Sequence, residues 1–379
     1  MKYVVCVPDG CADEPVDELG GKTPLEYAHL PVLASLAARA TVGRAQTIPA
    51  GLPPGSDVGN MAIFGYDPSR YHTGRAPIEA AALRLDLTGR IAYRCNLVNV
   101  SPDGTMVDFA GGHPDSVLAA EVIAALDAEL GGVVSFHPGV QYRHIMLAPL
   151  DWAEADCYPP HDLTGAPALA PTGPTSARLI ELMERSRDVL RRFEIGANQI
   201  WLWGQGPGSD MPRFIDRYGV HGGLCTEVDL VRGLGVMAGL DVVEVEGANA
   251  WFDTNYEGMR DATIEGLRAG ADLWIVHIEA SDEAGHAGDV GEKVKALENW
   301  DRRVLAGLTE ALDDLGPWRM LLLPDHATPL RLKTHTPDAV PYLLLDSRQA
   351  GPGGSYTESG VAGSAPVVAH ELMAALLQR

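Results

Sequence analysis

The chain has 379 residues, 46% of them hydrophobic, enough for two domains or for one large core carrying an insertion. Its 29 basic and 51 acidic residues give a formal charge of -22, which argues against a nucleic-acid surface and against an anionic membrane as partner. An anionic substrate would have to be drawn in by local cations, either metal ions or Arg and Lys side chains.

Residues 1–85 read as strand, loop, helix, strand and a Gly/Pro-rich loop. The first strand, over 3–8, ends on Asp9, and the loop over 48–55 leads into a helix from about Ser56. The stretch 88–196 differs, with short strands over 133–136 and 144–147, helices over 116–130 and 176–193, and a Pro/Gly/Ala-rich loop over 158–174. Residues 200–345 alternate strands and helices again, with strands over 200–203, 242–245, 274–278, 320–323 and 341–345. Short apolar runs of this kind read as strands buried on both faces of a parallel sheet. The alternation predicts an α/β fold with a doubly wound core sheet, formed by 1–87 and 197–379, and an inserted smaller α+β domain over 88–196. The Gly/Ser-rich stretch 347–364 reads as a surface loop. An odd number of cysteines without a C-x-x-C pair predicts free thiols. Cys6 and Cys11 flank Asp9, but Cys6 lies inside the strand run and is expected to pack as a small hydrophobe. The chain shows no signal-peptide pattern and no apolar stretch long enough to span a membrane, so a cytoplasmic location is expected.

Seven polar residues near the ends of predicted strands concentrate the chemistry: Asp9, Ser56, Asp282, His286, Asp325, His326 and His335. Ligands of open α/β sheets bind beyond the carboxyl ends of the strands. Carboxylates and imidazoles gathered there would make a site for divalent cations with a serine beside them. Asp282 and His286 stand at i and i+4, so on a helix both point the same way. Asp325 and His326 are adjacent, so in extended chain they would point apart and could serve two different ions. Mixed Asp/His ligation suits Zn²⁺ or Mn²⁺ better than Ca²⁺ or Mg²⁺. Taken singly, each Asp reads as a helix cap or turn former and each His as a surface or satisfied core group. Their concentration on three strand ends is what favours metal. Ser56, after a Pro/Gly loop and before an apolar helix, has the pattern of an N-cap. The same helix N-terminus would also steady a phosphoryl group, and a cation would lower the hydroxyl pKa enough to make the serine a nucleophile.

Together with further motifs, these residues resemble the archaeal-type cofactor-independent phosphoglycerate mutases, within the alkaline-phosphatase-like metalloenzyme superfamily. The motifs include Pro8-Asp9-Gly10, Pro54-Gly55-Ser56-Asp57, Phe64-Gly65-Tyr66-Asp67-Pro68, Thr73-Gly74-Arg75-Ala76-Pro77 and Arg94-Cys95-Asn96. Tyr142-Arg143-His144, Pro160-His161-Asp162, Trp201-Leu202-Trp203-Gly204, Asp253-Thr254-Asn255-Tyr256, Asp282-Glu283-Ala284-Gly285-His286 and Pro324-Asp325-His326 follow in order. The likeness covers nearly the whole chain and is far more specific for family than for substrate. It implies an alkaline-phosphatase-like core and two divalent metal ions, Mn²⁺ or Zn²⁺. One ion would be held by Asp9, Ser56, Asp325 and His326, and the other by Asp282, His286 and His335. It implies that Ser56 takes the phosphoryl group from 3-phosphoglycerate and returns it to the 2-hydroxyl, without bisphosphoglycerate, beneath a substrate-covering inserted domain that closes to exclude water.

Arg75, Arg94 and Arg143 are the candidates for binding the substrate's carboxylate and phosphate, since Arg suits bidentate contact with either. His144, His161 and Asp162 are candidates for moving the hydroxyl proton; the alternative for the arginines is an ordinary salt bridge. The chain departs from its relatives in two places. Met259-Arg260 stands where they often carry Lys, and Gly247-Ala248-Asn249-Ala250 lacks a usual second Gly. These departures keep open a related phosphotransferase acting on another small hydroxy acid or hydroxy amino acid, homoserine kinase-like or of a phosphonate pathway. A metal-dependent phosphatase and a silent metal-binding protein are the remaining alternatives.

Overall fold

The computed structural model describes residues 1–378. They form two compact units, one built from Met1–His72 and the segment from Met211 onward, the other from Thr73–Asp210. In chain order the strands are β1 (Lys2–Pro8), β2 (Thr41–Gln46), β3 (Arg90–Val100), β4 (Met106–Asp108), β5 (Ser135–His137), β6 (Arg143–Pro149), β7 (Gln199–Pro207), β8 (Gly222–Cys225), β9 (Asp241–Val243), β10 (Leu273–Ile278), β11 (Trp318–Leu322), β12 (Val340–Asp346) and β13 (Val367–Val368).

The first unit carries an eight-stranded sheet in the order β13-β2-β12-β11-β1-β10-β8-β9. The run β11-β1-β10-β8-β9 is parallel throughout, whereas β12 is antiparallel to both β11 and β2. The sheet is therefore mixed, with an antiparallel side added to a parallel centre, a common form for large α/β sheets. The central strands β1, β10 and β11 are apolar on both faces because both faces are covered. On one face Val4, Cys6, Trp274, Val276, Met320 and Leu322 meet the apolar sides of the helices over 256–268 and 290–315. Cys6 is fully buried there, and its neighbours push its thiol pKa upward through burial, as a packed hydrophobe requires. All five cysteines are free thiols.

The second unit holds β4-β3-β6-β5, with β7 pairing antiparallel to β3. Two helices, Ser116–Leu130 and Ser176–Leu190, cover one side of it. The unit takes in residues 73–87 and 197–210, which the sequence pattern assigned to the core. The helix Arg75–Ala82 packs on β3 and β7, and the strand expected over 200–203 completes this sheet rather than the large one. The break in hydrophobic pattern near 88 and 196 marks changes of element, not the seam between units. The stretch expected as a surface loop also differs, because Tyr356 and Val361 are buried and Glu358 accepts hydrogen bonds from the Asp13 N–H and the Thr23 hydroxyl.

Ala250, in the stretch that lacks the usual second Gly, has φ of 59°. That left-handed conformation disfavours any residue with a Cβ. Ala250→Gly is expected to leave the fold intact and to raise the unfolding free energy by about 0.5–1 kcal/mol, checked by chemical denaturation.

Candidate metal centre

The topology explains how distant residues meet. β11, β1 and β10 are adjacent, and each is followed at its carboxyl end by one of the three aspartates. Asp9 directly follows β1 and is fully buried, like Asp325 beyond β11. Asp282 and His286 lie on the helix Ala280–Ala287 just past β10, four residues apart and on one side, with His286 Nε2 3.1 Å from Asp282 Oδ2. His335 returns from the loop after β11 to place its Nε2 2.9 Å from that of His286 and 3.6 Å from Asp282 Oδ1.

Asp325 and His326 do not point apart, although their donor atoms fall in two different groups, as serving two ions would require. β11 ends at Leu322 and the chain bends at 325–326, so extended-strand alternation no longer applies. His326 Nε2 lies 3.4 Å from Asp325 Oδ2, 3.7 Å from Asp9 Oδ1 and 3.3 Å from Ser56 Oγ. Both faces of this arrangement are pinned by close backbone approach. A Cβ on Gly59 would collide with the Asp325 carbonyl, and Gly10, at φ 57°, leaves no room for a side chain beside Asp282.

Ser56 is not an N-cap. Gly55 occupies that position in extended conformation, and Ser56 is the first residue of the helix Ser56–Ile63. Its hydroxyl is therefore not spent on the helix's own N–H groups and faces His326 instead.

The electrostatics call for a cation. Among the described residues, the recorded ion-pair partners of Asp9, Asp282 and Asp325 are histidines only, with no Lys or Arg. Neither oxygen of Asp9 accepts an aligned N–H, and its remaining hydrogen-bonding neighbour is another carboxyl, Glu279. Burial, then the charges of Asp325, Glu279 and Asp282, push the Asp9 carboxyl well above its ordinary range. Burial would also raise Asp282, but hydrogen bonds from His286 and His335 hold it well below that range. His286 is lowered by burial yet ends at about 9 because Asp282 bonds and attracts its proton, whereas burial takes His326 down to about 4. Uncompensated carboxylates at this depth are costly unless paired or metal-bound. Donor atoms gather within 4.8 Å in two groups, Asp282 with His326 and His335, and Asp9 with His277 and Asp325. This oxygen and imidazole set fits divalent cations such as Zn²⁺ or Mn²⁺.

Several partners here were not singled out in the sequence. Asn60 donates to Asp325 Oδ2 at 2.8 Å, the Thr328 hydroxyl donates to Asp282, and Glu279 is buried beside Asp9. Asn60 carried a signal, falling one turn after Ser56 on the same helix face. Arg260 donates to Asp261 and to the Arg303 carbonyl, and Met259 is buried in the core.

In the second unit, Arg94 on β3 donates from Nε to Glu79 at 2.9 Å and lies 4.3 Å over the Trp203 ring. Burial lowers its pKa, Glu79 opposes that, and the charges of Arg75 and Arg143 add to the lowering, so the three guanidinium groups share one electrostatic neighbourhood. His161 belongs to the same group. Its ring meets Trp203 edge-on at 5.3 Å, and its pKa is lowered by burial and by Arg75 and Arg94, against Asp162. Asp162 is exposed and lies 3.5 Å from His161 Nε2. His144 stands apart. It pairs with Cys95 in register, whereas Arg143 pairs with Asn96 and Ile145 with Arg94, so alternation puts His144 on the opposite face. Burial keeps it neutral with a pKa of about 4, and it accepts the Gly139 N–H at 3.0 Å.

Residues 37–211 match the family model described as 2,3-bisphosphoglycerate-independent phosphoglycerate mutase. The chain is 45% identical over 383 residues to a probable 2,3-bisphosphoglycerate-independent phosphoglycerate mutase of Geobacter sulfurreducens, covering 95% of each. It is 46% identical over 361 residues to the enzyme of that name from Methanothrix thermoacetophila, covering 92% of this chain and 91% of the relative. Among solved structures, a Pyrococcus horikoshii protein superposes with a TM-score of 0.79 at 24% identity, over 100% of this chain and 96% of that one. The cofactor-independent phosphoglycerate mutase of Thermoplasma acidophilum gives 0.65 at 23% identity, over 100% and 99%. These superpositions establish the shared fold, and the sequence identities establish the kinship: the chain belongs to the 2,3-bisphosphoglycerate-independent phosphoglycerate mutase family.

Proposed function

We infer that the protein is an isomerase that interconverts 3-phosphoglycerate and 2-phosphoglycerate, on the route shared by glycolysis and gluconeogenesis, without bisphosphoglycerate. The observation that carries this, beyond kinship, is a serine whose hydroxyl is free of capping duty and stands 3.3 Å from a buried imidazole within a carboxylate–histidine cluster. Asp9, Asp325, His326 and Ser56 would hold one divalent cation, and Asp282, His286 and His335 a second. Bound there, such cations would neutralise charge on the phosphoryl oxygens and favour ionisation of the serine hydroxyl.

The chain's own residues account for the rest. Ser56 Oγ attacks phosphorus, the bond from phosphorus to O3 breaks, and O3 takes up a proton. The 2-hydroxyl of the retained glycerate then loses its proton, attacks the phosphoserine and restores the serine hydroxyl. His161, an imidazole held neutral by its surroundings, is suited to carry that proton, with Asp162 as its partner. Arg75, Arg94 and Arg143 supply the cationic donors for an anionic substrate in a chain of strongly negative charge. Among the described residues no helix is long and apolar enough to cross a membrane; with its free thiols, we place the protein in the cytoplasm.

An enolase-coupled assay on 3-phosphoglycerate, with Mn²⁺ titrated and no bisphosphoglycerate added, tests this directly. Metal-dependent formation of 2-phosphoglycerate is expected. Free phosphate and glycerate instead would identify a phosphatase, and inertness beside turnover of another phosphorylated hydroxy acid would identify a different phosphotransferase. Arg94→Lys is expected to raise KM about tenfold with a smaller change in kcat, because a single ammonium cannot reproduce the planar fork.

A further inference from the structure

His277 takes no part in the ligand set implied by family resemblance, yet the fold aims it at that set. It sits in β10 opposite Val7 of β1, in parallel register and two residues short of Asp9 along its neighbour. It is fully buried. Both of its nitrogens are accounted for by position. Nδ1 lies 3.1 Å from the Thr226 hydroxyl, which also accepts the Val228 N–H at 3.2 Å. A hydroxyl oxygen has two acceptor sites, so Thr226 can accept the Nδ1–H as well and leave Nε2 with its lone pair. That is the outer arrangement usual for an imidazole that ligates through the other nitrogen.

Nε2 lies 2.8 Å from Asp9 Oδ2, yet Asp9 receives no aligned hydrogen bond at either oxygen. Asn60 Nδ2 is 3.5 Å from Nε2, but its two hydrogens are directed at the Ser56 carbonyl, 3.0 Å away, and at Asp325 Oδ2, 2.8 Å away. A nitrogen and a carboxylate oxygen this close but not aligned for a hydrogen bond match two donors that share an ion, since ligands about 2.0–2.2 Å from Zn²⁺ stand roughly 3–3.5 Å from each other. One donor atom from each of Asp9, His277 and Asp325 falls within 4.8 Å of the others. His326 approaches Asp9 through the other oxygen, Oδ1, at 3.7 Å.

We propose that His277 is a ligand of the cation held by Asp9 and Asp325, which would then carry imidazoles from two sides, His277 and His326. The proposal rests on the two-cation reading above, and the test separates the two. The apo protein, prepared by chelation, is titrated with Mn²⁺ by calorimetry and then crystallised loaded with Zn²⁺. Two bound ions in the wild type, with His277 Nε2 at about 2.0–2.1 Å from the ion beside Asp9, are expected. In His277→Ala, one of the two ions is expected to bind at least about 100-fold more weakly, beyond the usual loss on removing an outer-shell partner, while the other is unchanged. Failure of the wild type to bind two ions would sink the two-cation reading itself. Two bound ions with His277 Nε2 more than about 3 Å from either, or wild-type affinity in His277→Ala, would overturn the role of His277 alone. The crystallographic distance in the wild type needs no variant, so the proposal stays open to refutation even where His277→Ala does not fold.

Discussion

Replacing Ser56 with alanine is expected to abolish isomerisation, by about 10⁴-fold or more in kcat, while leaving the protein folded and both ions bound. The magnitude follows from the chemistry. The phosphoryl group has to be stored on the protein between leaving O3 and arriving at O2, and no neighbouring side chain can replace the hydroxyl as that store. The small structural effect follows from the geometry. Ser56 is the first helical residue, with Gly55 in the capping position, so deleting its hydroxyl removes no cap. Asn60 bonds to the Ser56 carbonyl, which alanine retains. Acid-quenched wild-type protein exposed to substrate should show phosphoserine at Ser56 by mass spectrometry, and the variant none. Turnover at the wild-type rate in Ser56→Ala would exclude the covalent route.

Removing the divalent cations should have the second largest effect. Chelation is expected to lower activity by about 10³-fold or more, with recovery on adding Mn²⁺ or Zn²⁺. Asp325→Asn should behave like chelated protein and resist rescue, because it removes charge from a carboxylate that Asn60 and the His326 and Gly10 N–H groups hold in place. An ion at 100 times its dissociation constant stabilises the native state by about 2.7 kcal/mol, so a protein of this length loaded with two such ions should melt roughly 5–10 °C higher than the apo form. The effect should weaken as pH falls. Ligating imidazoles must be deprotonated, and Asp282 favours the protonated form of His286, with a pKa of about 9. Below that value each unit of pH lost costs up to about tenfold in affinity for one displaced proton, and above it this penalty disappears. Thermal shift with and without Mn²⁺ between about pH 6.5 and 9 reads this directly.

The convergence of the three aspartates was legible in the chain because each follows a short apolar run, and runs of that kind become central parallel strands. Asp9, Asp282 and Asp325 converge for that reason alone. The relation between Asp325 and His326 was not legible, since strand alternation was assumed to continue where the backbone bends. Ser56 was read one position out of place as a cap, because a Pro/Gly loop before an apolar helix does not reveal which residue ends the loop. The unit boundary was missed because β7 pairs with β3 across about a hundred residues, and no local pattern encodes a pairing that long. The face on which His144 lies was not legible, because its alternation on β6 depends on a register that only the partner strand sets.

The position of β1 carries a consequence for how the chain reaches this state. Tyr3 stands in register with Leu273 on one side and Arg319 on the other. β1 therefore waits for β10 and β11, far along the chain, before either of its edges is covered. Until then its apolar edges stay open to other chains, and pairing over so long a separation is expected to slow folding.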